Sequence, residues 1–311
     1  MPAKRIVIAG GSGFVGRRLV RRLVARKDLV TVLSRDPVGS RSGLPEGVRV
    51  AGYTPNTEGP WFEELAQTDA VVNLSGEPVV GVRWTEAKKK RFEESRVGVN
   101  ETLVKAVARV RADHRPQVIV GCSGVGYYGA RGADESLDEQ SSPGRDYLAM
   151  LSQRWEASLL PAKELGVRVV HMRLGIVLGK GGGALATMAR PFRMHVGGPI
   201  GSGEQMVSWV HIDDVCGAIL LAIDNAAAEG PINTTSPNPV NMERFCEAIG
   251  IILHRKSYLR VPDAALRALF GEGAEPLLTG QRAVPKALLA LGYEFQYPNL
   301  LPALESVLGP D

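Results

Sequence analysis

The sequence predicts an α/β fold: a doubly wound parallel sheet with a smaller C-terminal substrate lobe. Two observations carry this. Short β-branched runs alternate with amphipathic stretches through the first half of the chain, and a glycine-rich turn sits between the first such run and the first helix. With 311 residues, 44% of them hydrophobic, the chain can bury one large core, or one core and an appended lobe.

The elements follow in order. Ile6-Val7-Ile8 reads as a strand, a helix begins at about Phe14, and Val30-Thr31-Val32-Leu33 is the next strand, so the chain opens with a βαβ unit. Val15, Leu19 and Leu23 lie four apart on one face of that helix, which leaves Arg17, Arg18, Arg21 and Arg22 as a solvated face. Further buried strands are expected at Ala70–Leu74, Val118–Val120 and Val167–Val170, each short and apolar. In such sheets ligands collect at the carboxyl ends of the strands, here Ala9-Gly10, Leu33-Ser34-Arg35, Leu74-Ser75-Gly76, Gly121-Cys122-Ser123 and Met172-Arg173. Beyond Arg173 the alternation fades and glycine and proline gather, so a dinucleotide-binding domain is expected over residues 1–178. A substrate lobe with helical segments, among them Ala264–Phe270 and Lys286–Leu291, is expected over 179–311, with the sheet partly shared.

The formal net charge of +4 suits anionic ligands and is too mild to point to nucleic acid. Three widely spaced cysteines form neither a metal-ligand pair nor a disulfide framework, which fits a reducing compartment. The N-terminus runs directly into a strand, and no apolar run approaches the roughly 20 residues of a membrane span, so a cytoplasmic location without membrane attachment is expected.

Gly10-Gly11-Ser12-Gly13-Phe14-Val15-Gly16 places glycines at three-residue intervals between strand and helix. Gly10 permits the tight turn, Gly13 lets backbone approach a pyrophosphate, and Gly16 lets helix and strand pack closely. Free N–H groups at the helix start face the phosphates, so the whole turn, with Ser12, Phe14 and Val15, is a candidate cofactor site. The end of the second strand then separates NAD from NADP. A carboxylate there would accept from a ribose 2′-OH, whereas a 2′-phosphate needs cations and hydroxyls. Ser34-Arg35 favours NADP; Asp36 argues for NAD, but it comes late and is followed by Pro37.

At this point the chain resembles the short-chain dehydrogenase/reductase superfamily, whose GxxGxxG matches Gly10, Gly13 and Gly16. Asn73-Leu74-Ser75-Gly76-Glu77-Pro78, Arg83-Trp84-Thr85, Arg173 to Gly179, Gly197 to Gly203 and Trp209 to Asp214 are similar to an atypical extended branch, the "epimerase family proteins", related to nucleotide-sugar epimerases. Arg260-Val261-Pro262 and Gly280 to Pro285 resemble its C-terminal segment. The resemblance spans essentially the whole chain and implies a Rossmann fold. It further implies that Ser34 and Arg35 meet a 2′-phosphate, that Leu74, Ser75 and Gly76 flank the cofactor, that Arg96 reaches it, and that Val177 lines its nicotinamide end. Read from the residues alone, Arg96 is equally a surface arginine of the Lys88–Arg96 segment.

The superfamily's Tyr-x-x-x-Lys pair is not found. Tyr147 is followed four residues later by Leu151, and alignment on Glu156 pairs Leu148 with Ser152. Ser123, at the end of the fifth strand, and the hydroxyls of Tyr127, Tyr128 and Tyr147 are the remaining candidates for orienting or protonating a substrate. His211 with Asp213 and Asp214 lacks a second histidine, so no metal is expected. Arg190 and Arg193 could meet an anionic group of a small substrate, and Trp209 reads as core. Two functions follow: an NADP(H)-dependent oxidoreductase or epimerase-like enzyme, or a non-catalytic NADP(H)-responsive binding protein.

Overall fold

The computed structural model describes residues 2–309. Along the chain, β1 (Arg5–Ala9), α1 (Phe14–Ala25), β2 (Leu29–Ser34), α2 (Pro37–Arg41) and β3 (Arg49–Gly52) wind outward. The path returns through β4 (Ala70–Asn73), α3 (Glu86–Glu93), α4 (Val99–Arg109) and β5 (Val118–Gly124). Next come β6 (Ser136–Leu137), α5 (Tyr147–Ala157), β7 (Arg168–Leu174) and β8 (Ile176–Leu178). Then follow α6 (Gly183–Arg193), β9 (Met206–Val207), β10 (Trp209–His211), α7 (Ile212–Asp224), β11 (Gly230–Thr234), β12 (Val240–Asn241) and α8 (Met242–Leu253). The chain closes with α9 (Asp263–Phe270), α10 (Glu275–Leu278), β13 (Arg282–Ala283), α11 (Lys286–Ala290) and α12 (Leu300–Leu308).

Seven strands form one parallel sheet in the order β11-β7-β5-β4-β1-β2-β3. The order reverses at β1, which puts the carboxyl ends of β1 and β4 at the switch point where this topology opens a crevice. Side chains alternate across it as period 2 demands. Ile6, Ile8, Val32, Val72 and Val120 pack toward α1 and α7, and Val7, Ala9, Val71 and Ile119 toward α4. Because β11 belongs to this sheet although it lies beyond residue 178, the two halves share their core. A separate cluster around Phe192, Trp209, Phe245 and Leu304 holds the lobe together, with Trp209 fully buried.

The arginines of α1 depart from a uniform solvated face. Arg18 grips both carboxylate oxygens of Asp213 at 2.6 and 2.9 Å, and Arg22 donates to the Asp213 carbonyl at 2.6 Å. Arg26 bonds Asp28 at 2.6 Å and also Asp224. Spaced four apart, these three form one stripe that clamps α1 to α7. Their acidic partners in α7 lie nearly 200 residues away, beyond the reach of local periodicity. Arg17 and Arg21, on another side, have no carboxylate partner among the described residues. None of the described helices is long and apolar enough to cross a membrane.

Candidate functional site

The glycine turn is a cradle because side chains cannot fit in it. Gly10 has φ +79°, and a Cβ there would lie 2.8 Å from the Leu74 carbonyl carbon. A Cβ on Gly16 would approach the Gly10 carbonyl oxygen to 2.3 Å, so only glycine lets α1 come so near β1. Gly13 N–H donates to Gly10 O at 3.0 Å, closing the turn. Across it, Leu74 N–H donates to Ala9 O at 2.9 Å and Ser75 N–H to Asn73 Oδ1 at 2.9 Å, which fixes the strand end that faces the turn. Val15 packs on the core, while the ring of Phe14 is seated against Gly179, Gly182 and Gly183. The segment just after β8, and with it Val177 paired to Val210, is thereby brought to the turn.

At the end of β2, Ser34 is buried and its hydroxyl lies 2.6 Å from that of Ser40. The Asp36 carboxylate is turned into α2, where it accepts from Gly39 N–H at 2.9 Å as the helix cap. Arg35 is exposed and has no carboxylate partner among the described residues. Tyr53, just after β3, is 8% exposed, with its hydroxyl beside Ser75 and Arg35. Burial pushes its phenol up to about 12. The close-packed glycines of the turn and the exposed cation at the end of β2 suit the phosphates of a dinucleotide.

Arg96 lies in a π-turn, Glu94–Gly98, between α3 and α4. It is 8% exposed rather than on the surface. Its guanidinium donates to Glu77 O at 2.7 Å and Phe92 O at 3.3 Å and lies 4.9 Å from the Trp155 ring centroid. Burial lowers its pKa to about 10. It lies against Gly76, within van der Waals reach of where a Cβ there would be, near the end of β4.

On the substrate side, Ser123 Oγ donates to Glu156 Oε1 at 2.7 Å, and both are buried. Arg173 binds Glu156 through two bonds of 2.8 Å each, a bidentate pair 3% exposed on the arginine side. Burial works against the charge on Arg173, but Glu156 outweighs it and raises the pKa. The same guanidinium donates to Tyr128 Oη at 3.1 Å and lies 3.5 Å from the Tyr127 ring centroid. Tyr128 in turn donates to Asn233 Oδ1 at 2.7 Å, and burial pushes its phenol up to about 12. Tyr127 is only half-buried, and its hydroxyl has no hydrogen-bond partner among the described residues. Tyr147 stands apart, its ring 5.1 Å from Trp84 and its hydroxyl donating to the Lys89 carbonyl at 3.2 Å.

Sequence reasoning missed Glu156, Arg173, Asn233 and Glu139 as members of this network. A signal existed for Arg173, because a charge inside the apolar run of β7 must have a buried partner. His211 Nδ1 accepts from Asp213 N–H, and Asp214 accepts from Gln296 N–H at 2.7 Å and Tyr297 N–H at 3.0 Å. These groups tie α7 to the chain end.

Residues 6–234 match the family model described as NAD dependent epimerase/dehydratase family, and residues 261–307 match a domain of unknown function, DUF1731. The chain is 41% identical over 303 residues to the epimerase family protein SDR39U1 homolog, chloroplastic, of Arabidopsis thaliana, covering 97% of this chain and 86% of that one. It is 31% identical to the epimerase family protein YfhF of Bacillus subtilis, with 97% of each covered. The crystal structure of human epimerase family protein SDR39U1 with NADPH superposes with TM-score 0.84 at 33% identity, covering 98% of this chain and 99% of that one. At 18% identity and TM-score 0.80, covering 99% of this chain and 98% of that one, a UDP-N-acetylglucosamine 4-epimerase from Methanobrevibacter ruminantium shares the fold.

Proposed function

The chain belongs to the NAD dependent epimerase/dehydratase family, and from that premise we propose that it binds NADP(H) and serves as an oxidoreductase or epimerase-like enzyme on a small polar substrate. One observation carries the cofactor preference: at the end of β2 the Asp36 carboxylate is spent on the α2 cap while Arg35 stays uncompensated. A 2′-phosphate would neutralise that cation, whereas a bare ribose would leave it idle. The bound nicotinamide would supply hydride chemistry. Around it, Gly10, Ser12, Gly13, Phe14, Val15 and Gly16 would hold the pyrophosphate, Ser34 and Arg35 the 2′-phosphate, Leu74, Ser75 and Gly76 would flank the cofactor, Arg96 would reach it, and Val177 would line its nicotinamide end. Tyr127 is the proton donor with an unengaged hydroxyl, Ser123 orients through Glu156, and Tyr147 is the outer candidate. The substrate would lie between the ends of β5 and β7 and the lobe at 179–311. Nucleotide sugars, the ligand class of an epimerase neighbour, are the first to screen. Buried, unpaired Cys122, Cys216 and Cys246 support a reducing compartment such as the cytoplasm.

Calorimetry tests the cofactor claim. The protein should bind NADPH at least tenfold more tightly than NADH, and Arg35→Ala should remove most of that ratio; equal affinities would overturn it. A second reading is favoured by the lack of lysine in either register of the Tyr-x-x-x-Lys motif and by Ser123 being engaged with Glu156. In it the protein binds NADP(H) without turnover and changes its contacts with cofactor state. Tight NADPH binding without consumption across carbonyl and nucleotide-sugar panels would select that reading.

A further inference from the structure

We propose that Arg17 is a second cation for the cofactor's 2′-phosphate, acting together with Arg35; this rests on the NADP(H) reading above. The arginines of α1 divide into two sets. Arg18, Arg22 and Arg26 are drawn to Asp213, Asp28 and Asp224, whereas Arg17 meets no carboxylate among the described residues. Its position is nonetheless fixed. Nε donates to the carbonyl of Ser12, inside the glycine turn, at 2.8 Å. The guanidinium lies over Gly43, where an added Cβ would come within 2.6 Å of Cζ.

The side chain therefore spans from the pyrophosphate cradle to the segment just after α2, the helix that starts directly beyond Ser34 and Arg35. Arg17 thus lies between the glycine turn and the segment that follows the end of β2, where Arg35 is exposed. Because Nε is occupied by Ser12 O, the terminal nitrogens are left to meet a phosphate, and holding one end of the arginine in advance reduces the entropy lost on binding. Gly43 is what makes room for it, since the backbone there needs no left-handed conformation to account for a glycine.

The experiment measures NADPH and NADH dissociation constants by calorimetry for the full chain and for Arg17→Ala, Arg21→Ala and Gly43→Ala. Arg17→Ala should weaken NADPH about tenfold and leave NADH within twofold. Gly43→Ala, which pushes the guanidinium aside without removing charge, should move the ratio the same way by a smaller factor. Arg21, one turn further along α1 and exposed, controls for general surface charge, and its loss should leave the ratio unchanged. An unaltered ratio in Arg17→Ala, or an equal loss in Arg21→Ala, overturns the proposal while the NADP(H) reading stands. A wild-type protein with no preference for NADPH overturns the reading itself. Thermal melts followed by circular dichroism confirm that each variant is folded.

Discussion

His171 shows what single buried groups contribute here. It lies in β7 with Asn100, Ser123, Trp155 and Glu156 around it, is 5% exposed, and its Nε2 has no hydrogen-bond partner among the described residues. Burial, working against the attraction of Glu156, lowers its pKa from 6.5 to about 4. The unfolded chain therefore takes up a proton near pH 6.5 that the folded chain refuses until near pH 4, so this contribution is present above pH 6.5 and is lost as the pH falls toward 4. Between pH 7.5 and 5 the wild type should lose about 2 kcal/mol more unfolding free energy than His171→Gln, measured in urea. Parallel curves would refute the assignment. At this scale the sequence was half legible. Gly10, Gly13 and Gly16 announce themselves by spacing, because backbone approach leaves a residue-type signature. The partners of Ser123 do not, since Glu156 and Arg173 come from a helix and a strand whose meeting only the folded chain decides.

Among elements, the approach of α1 to β1 decides whether the cradle exists. A methyl group at residue 16 would press on the carbonyl of Gly10 at 2.3 Å and on Gly11 Cα at 2.6 Å, both backbone atoms that cannot rotate away. Gly16→Ala should thus lift the start of α1, weaken NADPH more than tenfold and cost about 1–3 kcal/mol of stability. Calorimetry and denaturant titration read the two effects separately; unchanged affinity would show that the helix start does not hold the diphosphate. The strands and α1 were readable because period 2 and period 3.6 are local properties. The Arg18–Asp213 clamp between α1 and α7 was not, and its arginines pass for a solvated face until the acidic partners are in place.

For the molecule as a whole, two family models meet on one core. β13 pairs with β6, Glu139 Oε1 accepts Ala287 N–H at 3.1 Å, Asn233 donates to Val284 O at 3.0 Å, and α12 packs within the same cluster as α8. A chain ending at Lys256 should keep much of its far-ultraviolet circular dichroism yet lose a cooperative melt, whereas the full chain should show a single transition. A sharp melt in the truncated form would mean that the Rossmann part stands alone. The boundary read from fading alternation near residue 178 could not show this, because short pairings such as β6 with β13 carry too few residues to leave a periodic trace.

The carboxylate of Glu139 also sets an order of events during synthesis. Its two amide donors, from Asn233 and Ala287, are made about 94 and 148 residues after it. While the chain is still on the ribosome, the hydrogen-bonded cluster of Arg173, Tyr128 and Asn233 has to wait for those amides. Translation thus delivers the strands of the sheet well before the amides that complete this buried cluster.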